Sequence, residues 1–142
     1  MTDIFRQLEA EQIQDQSVPD FAPGDTIVVW GDGTQGRDLL YVDDLMTFVQ
    51  AALEHQDTPF ELFNVGCGHT VTVTDLVRRI IEASGKDLGL SFDRTKPTID
   101  TSLCLDCTKA FTRLGWRPAV SLDEGIEKTF QWYRHHPLSV RC

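Results

Sequence analysis

The apolar positions of this chain change period several times along its length. Ile4, Leu8 and Ile13 recur at loosely helical spacing over Thr2–Gln14, and "DQSVPDFAPGD" then breaks the pattern with two prolines and a glycine, which predicts a short helix and a loop. "TIVVW" (26–30) is β-branched and reads as a strand, and "RDLLYV" (37–42) reads as a second. With the glycine-rich "GDGTQG" between them, the pair predicts a hairpin. Leu45, Phe48, Val49, Ala52 and Leu53 then fall at i, i+3, i+4, i+7 and i+8, an amphipathic helix over Val42–Glu54 with Asp43 and Asp44 against its positive end.

"FELFNV" (60–65) is apolar at nearly every position, as in strands covered on both faces, and it ends in the turn "GCGH". It expects neighbours that the chain does not supply. Thr72 with Asp75 forms the capping box of a helix striped by Leu76, Val77, Ile80 and Ile81 and stopped at Gly85. A strand around Leu88–Phe92 comes next, then a short helix in "DCTKAFTRLGW" stopped by Gly115. The last helix starts at the capping box Ser121–Glu124, turns Ile126, Phe130 and Tyr133 inward, and ends before Pro137. The fold class is α/β, with strands too few and too scattered for a doubly wound sheet.

Composition narrows the function classes. With 142 residues, 41% of them hydrophobic, the chain can build about one core, and its net charge of −9 argues against a nucleic-acid partner. No apolar run reaches membrane-spanning length, and "MTDIFRQLEAEQ" lacks the order of a signal peptide, so the reading is a cytoplasmic protein without a membrane partner. Cys67, Cys104, Cys107 and Cys142 then read as free, partly buried thiols. "CLDC" has the CxxC spacing of a zinc or redox pair, but zinc needs two further ligands at suitable spacing, and the reading assigns the chain no metal.

Gly31, Gly33 and Gly36 have the GxGxxG spacing of a dinucleotide turn. Such a turn needs a helix starting at the third glycine, and the residues after Gly36 read as a strand. The glycines are therefore read as turn formers.

Three stretches in this order, "VVWGDGTQGRDLLYVDDL", "FNVGCGHTVTVTDL" and "LDCTKAFTRLGWRPAVSLDEGIEKTFQWY", resemble the C-terminal part of NAD-dependent sugar-nucleotide epimerases and dehydratases. These are extended short-chain dehydrogenases/reductases, a family that includes GDP-fucose synthases and UDP-sugar epimerases. The resemblance covers about Thr26 to Arg134. It implies a partial α/β fold, a C-terminal lobe of a β-hairpin with helices and scattered strands that lacks most of the Rossmann sheet. It divides the chain into an N-terminal helix and loop (1–25), a nucleotide-sugar-binding lobe (26–137) and a tail (138–142).

A full-length member would carry a glycine-rich cofactor turn and a Tyr-xxx-Lys pair, and here Tyr41 and Tyr133 are followed four residues later by Leu45 and Pro137. The resemblance therefore implies a C-terminal piece that binds no cofactor and does not turn over alone, with NAD(P) belonging to the full-length enzyme. The expected ligand is a UDP- or GDP-linked sugar, and the expected partner is the N-terminal Rossmann domain or another copy of the chain. By the same resemblance Arg37 contacts the diphosphate, Lys96 lies near it, and Val28 and Trp30 line the base pocket. Alternative readings pair Arg37 with Asp38 or Asp43, leave Lys96 as an exposed loop lysine and put Trp30 in the core. Asp38, Asp43, Asp44 and Asn64 are read as structural, the acidic pair as helix-capping. A reading of a different class is a non-catalytic module that packs its apolar face on a partner subunit.

Overall fold

The computed structural model describes residues 22–99 and 101–135. The helix expected over Thr2–Gln14, Pro137 and the 138–142 tail lie outside the described residues. Strand β1 (Thr26–Trp30) leads through the glycine loop to β2 (Gly36–Arg37) and helix α1 (Val42–His55). Then come β3 (Val71–Thr72), α2 (Val73–Ser84), β4 (Gly89–Asp93), α3 (Thr108–Leu114) and α4 (Leu122–His135). The helices begin and end within a residue or two of where periodicity, caps and glycine stops put them. The Thr72 hydroxyl accepts from the Asp75 amide, Ser121 accepts from Glu124, and Gly85 and Gly115 close α2 and α3 in the left-handed conformation.

The strands pair differently from the expected hairpin. β1 runs parallel to β4, in register from Thr26 opposite Gly89 to Trp30 opposite Asp93, while β2 pairs antiparallel with β3. The cause is the loop: Gly31 and Gly33 take φ of 83° and 74° and swing the chain away from β1. The loop carbonyls are then taken by the start of α2, with Val73 donating to Gln35 and Thr74 to Gly33, each at 3.0 Å. "LLY" is left as an extended connection into α1. Period-2 patterning identified β1 correctly but carries no information about which sequence-distant strand pairs with it.

"FELFNV" is the second correction, for residues 60–65 are extended but belong to neither sheet. Glu61, Phe63 and Val65 point inward, whereas Phe60 and Leu62 are 81% and 73% exposed. Side chains of α3 and its lead-in tie the segment down: Lys109 bonds the Leu62 carbonyl and pairs with Glu61, which Arg113 also approaches. Two apolar faces thus become one half-buried and one open, because the described residues offer no strand to cover the second.

The core lies between α1 and α3. Ala110, Leu114 and Trp116 are buried against Leu40, Phe48, Ala51, Ala52, Phe63 and Val65. Phe48 meets Trp116 and Phe63 edge-on at 5.3 and 5.9 Å, and the Trp116 indole donates to the Thr47 hydroxyl at 2.9 Å. Tyr133, expected inward, does lie on the Ile126–Phe130 face of α4 but is half exposed, because towards the end of the helix that face borders an open cavity rather than a packed neighbour.

Asp44 is not a cap. The N-cap of α1 is Tyr41, which makes no side-chain capping bond, and the Asp44 carboxylate, 2% exposed, accepts the amides of Ala119 and Val120 at 3.0 Å each. It pins the connection between α3 and α4 onto α1. Asp44→Ala is expected to cost about 2–3 kcal/mol by stranding two amides, against less than about 0.5 kcal/mol for Asp43→Ala, in urea denaturation. Equal costs for the two substitutions would refute the clamp.

Candidate functional site

The loop between β1 and β2 packs tightly against the segment beyond β4. A side chain at Gly31 would meet Thr98 at 2.3 Å, one at Gly33 the Thr74 hydroxyl at 2.2 Å, and one at Gly36 the Ser102 hydroxyl at 2.6 Å. Gly31 and Gly33 thus serve both positive φ and close approach, and Gly36 close approach alone. Gly36 is fastened on both sides, its amide donating to Ser102 Oγ at 3.0 Å and its carbonyl accepting from the Leu103 amide at 3.2 Å. No helix starts at Gly36, so this loop does not aim a helix N-terminus at a cofactor pyrophosphate.

Two of the predicted site residues share one face of β1. Val28 and Trp30, two positions apart, are 53% and 59% exposed, which removes Trp30 from the core. Beyond the end of β4 the chain turns back, and the Lys96 ammonium sits over the Trp30 ring at 5.7 Å from its centre. Lys96 is exposed but not idle. Nearby, Asp32 and Asp93 each accept from the hydroxyl and amide of the threonine two residues on, bonds that hold both carboxyls below the usual range. Arg94 also acts electrostatically on Asp32.

Arg37 lies at the far end of the same loop–segment seam. It makes no ion pair with Asp38, Asp43 or any other described residue. Its Nη1 instead donates to the Gly36 and Thr101 carbonyls at 2.8 and 2.6 Å. Of the five guanidinium N–H groups, those on Nε and Nη2 have no described partner, and they form one of the forked edges that match a phosphate or carboxylate.

Asp38 holds this position from behind. Its carboxylate accepts from the amides of Cys67 (2.6 Å), Gly68 (3.1 Å) and Leu105 (3.2 Å), joining the "GCG" turn to the segment that carries the Thr101 carbonyl. Asn64 likewise donates to the Asp106 carbonyl. Spacing could not have found these roles, because the partners lie far along the chain. The only local signal was the acidic type of Asp38 next to Arg37.

The sequence matches the profile of the GDP-mannose 4,6 dehydratase family over residues 16–129. This chain belongs to that family. Among curated relatives of this dehydratase-family chain, the probable GDP-L-fucose synthase 1 of Oryza sativa subsp. japonica is 35% identical over 81% of the chain. The GDP-L-fucose synthase of Escherichia coli (strain K12) is 32% identical over 83% of it. The match covers 34% and 37% of those two proteins, so the chain spans about a third of their length.

Among solved structures, the UDP-glucose 4-epimerase of Thermotoga maritima with UDP-glucose aligns with a TM-score of 0.71 at 35% identity, over 79% of this chain and 36% of that one. The UDP-glucuronic acid 4-epimerase of Bacillus cereus, in complex with UDP-glucuronic acid and NAD, aligns with a TM-score of 0.68 at 31% identity, over 78% and 35%. The dehydratase-family chain is thus a mixed α/β portion of the extended short-chain dehydrogenase/reductase fold. No helix among its described residues is long and apolar enough to cross a membrane.

The loop glycines provide a structural test. Gly33→Ala is expected to lose at least about 1 kcal/mol more than Gly24→Ala, which has positive φ but open space around it, because only the former adds overpacking to backbone strain. Matching losses in thermal or urea unfolding would show that the Thr74 contact is slack.

Proposed function

We propose that this chain is the substrate-holding portion of an NAD(P)-dependent nucleotide-sugar epimerase, dehydratase or reductase, and that it grips the diphosphate of a UDP- or GDP-linked sugar. The observation that carries this reading is Arg37. Its inner nitrogen is fixed by two carbonyls while the Nε–Nη2 edge is left without a described partner. Trp30 with Val28 offers an apolar ledge for a base, and Lys96 adds a point charge beside it. Relatives whose structures contain UDP-glucose, or UDP-glucuronic acid with NAD, support the ligand class.

The nicotinamide would belong to the rest of the enzyme, where it supplies hydride transfer to and from the sugar. The contribution of the residues here is binding and orientation: a diphosphate fixed at Arg37 restricts where the sugar can lie. The exposed apolar side chains Phe60 and Leu62, and Met46, Val49 and Leu53 of α1, support a second element of the reading, that a cofactor-binding half packs against this chain.

Arg37→Ala is expected to weaken UDP- or GDP-sugar binding about 10- to 100-fold in calorimetric titration, and Arg37→Lys to recover little because it restores charge without the fork. Lys96→Ala should cost only a few-fold. An affinity indifferent to Arg37 would reject the diphosphate role. The purified chain with nucleotide sugar and NAD should leave nicotinamide absorbance unchanged, and any turnover would overturn its assignment as a binding portion. Light scattering after size exclusion should show self-association through the open face, whereas a clean monomer at high concentration would count against packing there.

A further inference from the structure

We propose that Cys104 and Cys107 form a thiol pair that small disulfides oxidise to an intramolecular bridge, and that closing this bridge releases the backbone that holds Arg37. The functional consequence at Arg37 rests on the diphosphate reading above, whereas the bridge itself does not.

The pair sits in the one segment that buttresses the site loop. From residue 101 to 107 nearly every position is committed: the Thr101 carbonyl to Arg37, Ser102 Oγ and the Leu103 amide to Gly36, and the Leu105 amide to Asp38. The Asn64 side chain reaches the Asp106 carbonyl, and the Cys107 thiol donates to the Gly66 carbonyl at 3.4 Å. Cys104 is the exception, exposed and without a hydrogen bond to any described residue. It is therefore the thiol that an incoming disulfide meets first.

The surroundings fit such a reagent. Cys104, Cys107 and Cys67 open onto one cavity of about 630 Å³, walled by Phe111, Trp116 and Arg117. The Arg117 guanidinium, stacked 3.6 Å from the Phe111 ring centre, puts a positive charge on this wall that an anionic reagent meets. Burial, and then the carboxylates of Asp38 with Asp44 at Cys67 and with Asp106 at Cys107, push those two thiols up, while Cys104 is the exposed member of the three. The Cys67 thiol also donates to the Leu39 carbonyl at 2.8 Å, on the far side of the "GCG" turn.

With oxidised glutathione as the co-reactant, the Cys104 thiolate attacks one glutathione sulfur, breaking that S–S bond and expelling a glutathione thiolate. Cys107, losing its proton to water, then attacks Cys104 Sγ and expels the second glutathione. Two protein thiols are oxidised to one disulfide, and one glutathione disulfide is reduced to two thiols. The coupling to Arg37 is geometric. A bridge requires Cα atoms within roughly 7 Å, which for residues three apart means a turn, and 104–107 contains none. Making that turn reorients the peptide at Leu105 and takes its amide off the Asp38 carboxylate. The Leu103 and Thr101 contacts to Gly36 and Arg37 lie immediately upstream.

The test uses the full chain carrying Cys142→Ser, treated with oxidised glutathione and examined by peptide mass mapping and amide hydrogen exchange. The expected result is a Cys104–Cys107 disulfide with no retained glutathione, and a Leu105 amide exchanging at least about tenfold faster while those of Ala119 and Val120 are unchanged. Cys107→Ser should trap glutathione on Cys104, and Cys104→Ser should abolish the reaction. A bridge to Cys67, a stable glutathione adduct in the presence of Cys107, or unaltered Leu105 protection in the bridged chain would overturn the proposal. UDP-sugar titration of reduced and oxidised chain separates the two readings: weaker binding on oxidation supports both, whereas a reduced chain that binds no UDP- or GDP-sugar rejects the diphosphate role of Arg37 while the mapping still decides the bridge.

Discussion

The carboxylate of Asp38 is the point through which the site is assembled. Three backbone amides from two segments, one at 67–68 and one at 105, converge on its two oxygens. Each bond is charge-assisted, and together they replace the hydration that a half-buried carboxylate would otherwise demand. Since Arg37 is the neighbouring residue, fixing Asp38 also fixes the backbone from which the guanidinium projects. The paired strands β2 and β3 are only two residues each, too short to hold that geometry by ladder bonds alone.

Asp44 plays the same part for the other half of the molecule. It takes two amides of the α3–α4 connection, while Trp116, a few residues before, bonds Thr47 one turn further along α1. The described core is small, and its largest members are an edge-on aromatic trio. A fold with so little buried apolar volume relies on directional contacts to choose among compact arrangements. The two aspartates supply them, at positions where an apolar side chain would satisfy none of the five amides.

How far a feature could be read from the residues depends on the range of the interaction that sets it. Helix limits depend on contacts three or four residues away, and they appear in the capping residues of α2 and α4 and in Gly85 and Gly115. The pairing of β1 with β4 and of β2 with β3 depends on contacts tens of residues apart, and the expected hairpin failed there. Asp44 was misread for the same reason: an acid at a helix start has a sufficient local explanation, and the amides it binds lie 75 and 76 residues on. The site residues came from resemblance rather than from pattern. The structure brings Val28, Trp30 and Lys96 to one face and leaves Arg37 with an open fork, a feature that no spacing rule encodes.

The electrostatics of that fork set the terms for any anion at the site. The chain carries a net charge of −9, and two of its ionised carboxylates, Asp32 and Asp93, lie close to the Trp30–Lys96 ledge. A mean field of this sign disfavours a diphosphate, but at physiological salt it is screened beyond about 8 Å. Within that distance the question becomes which donors are available. Threonine hydroxyls and amides already solvate Asp32 and Asp93, and the two carbonyls on Nη1 anchor Arg37 without cancelling its charge. An anion reaching Arg37 would therefore meet a positioned fork that no described residue neutralises, and local geometry rather than total charge would decide its binding there.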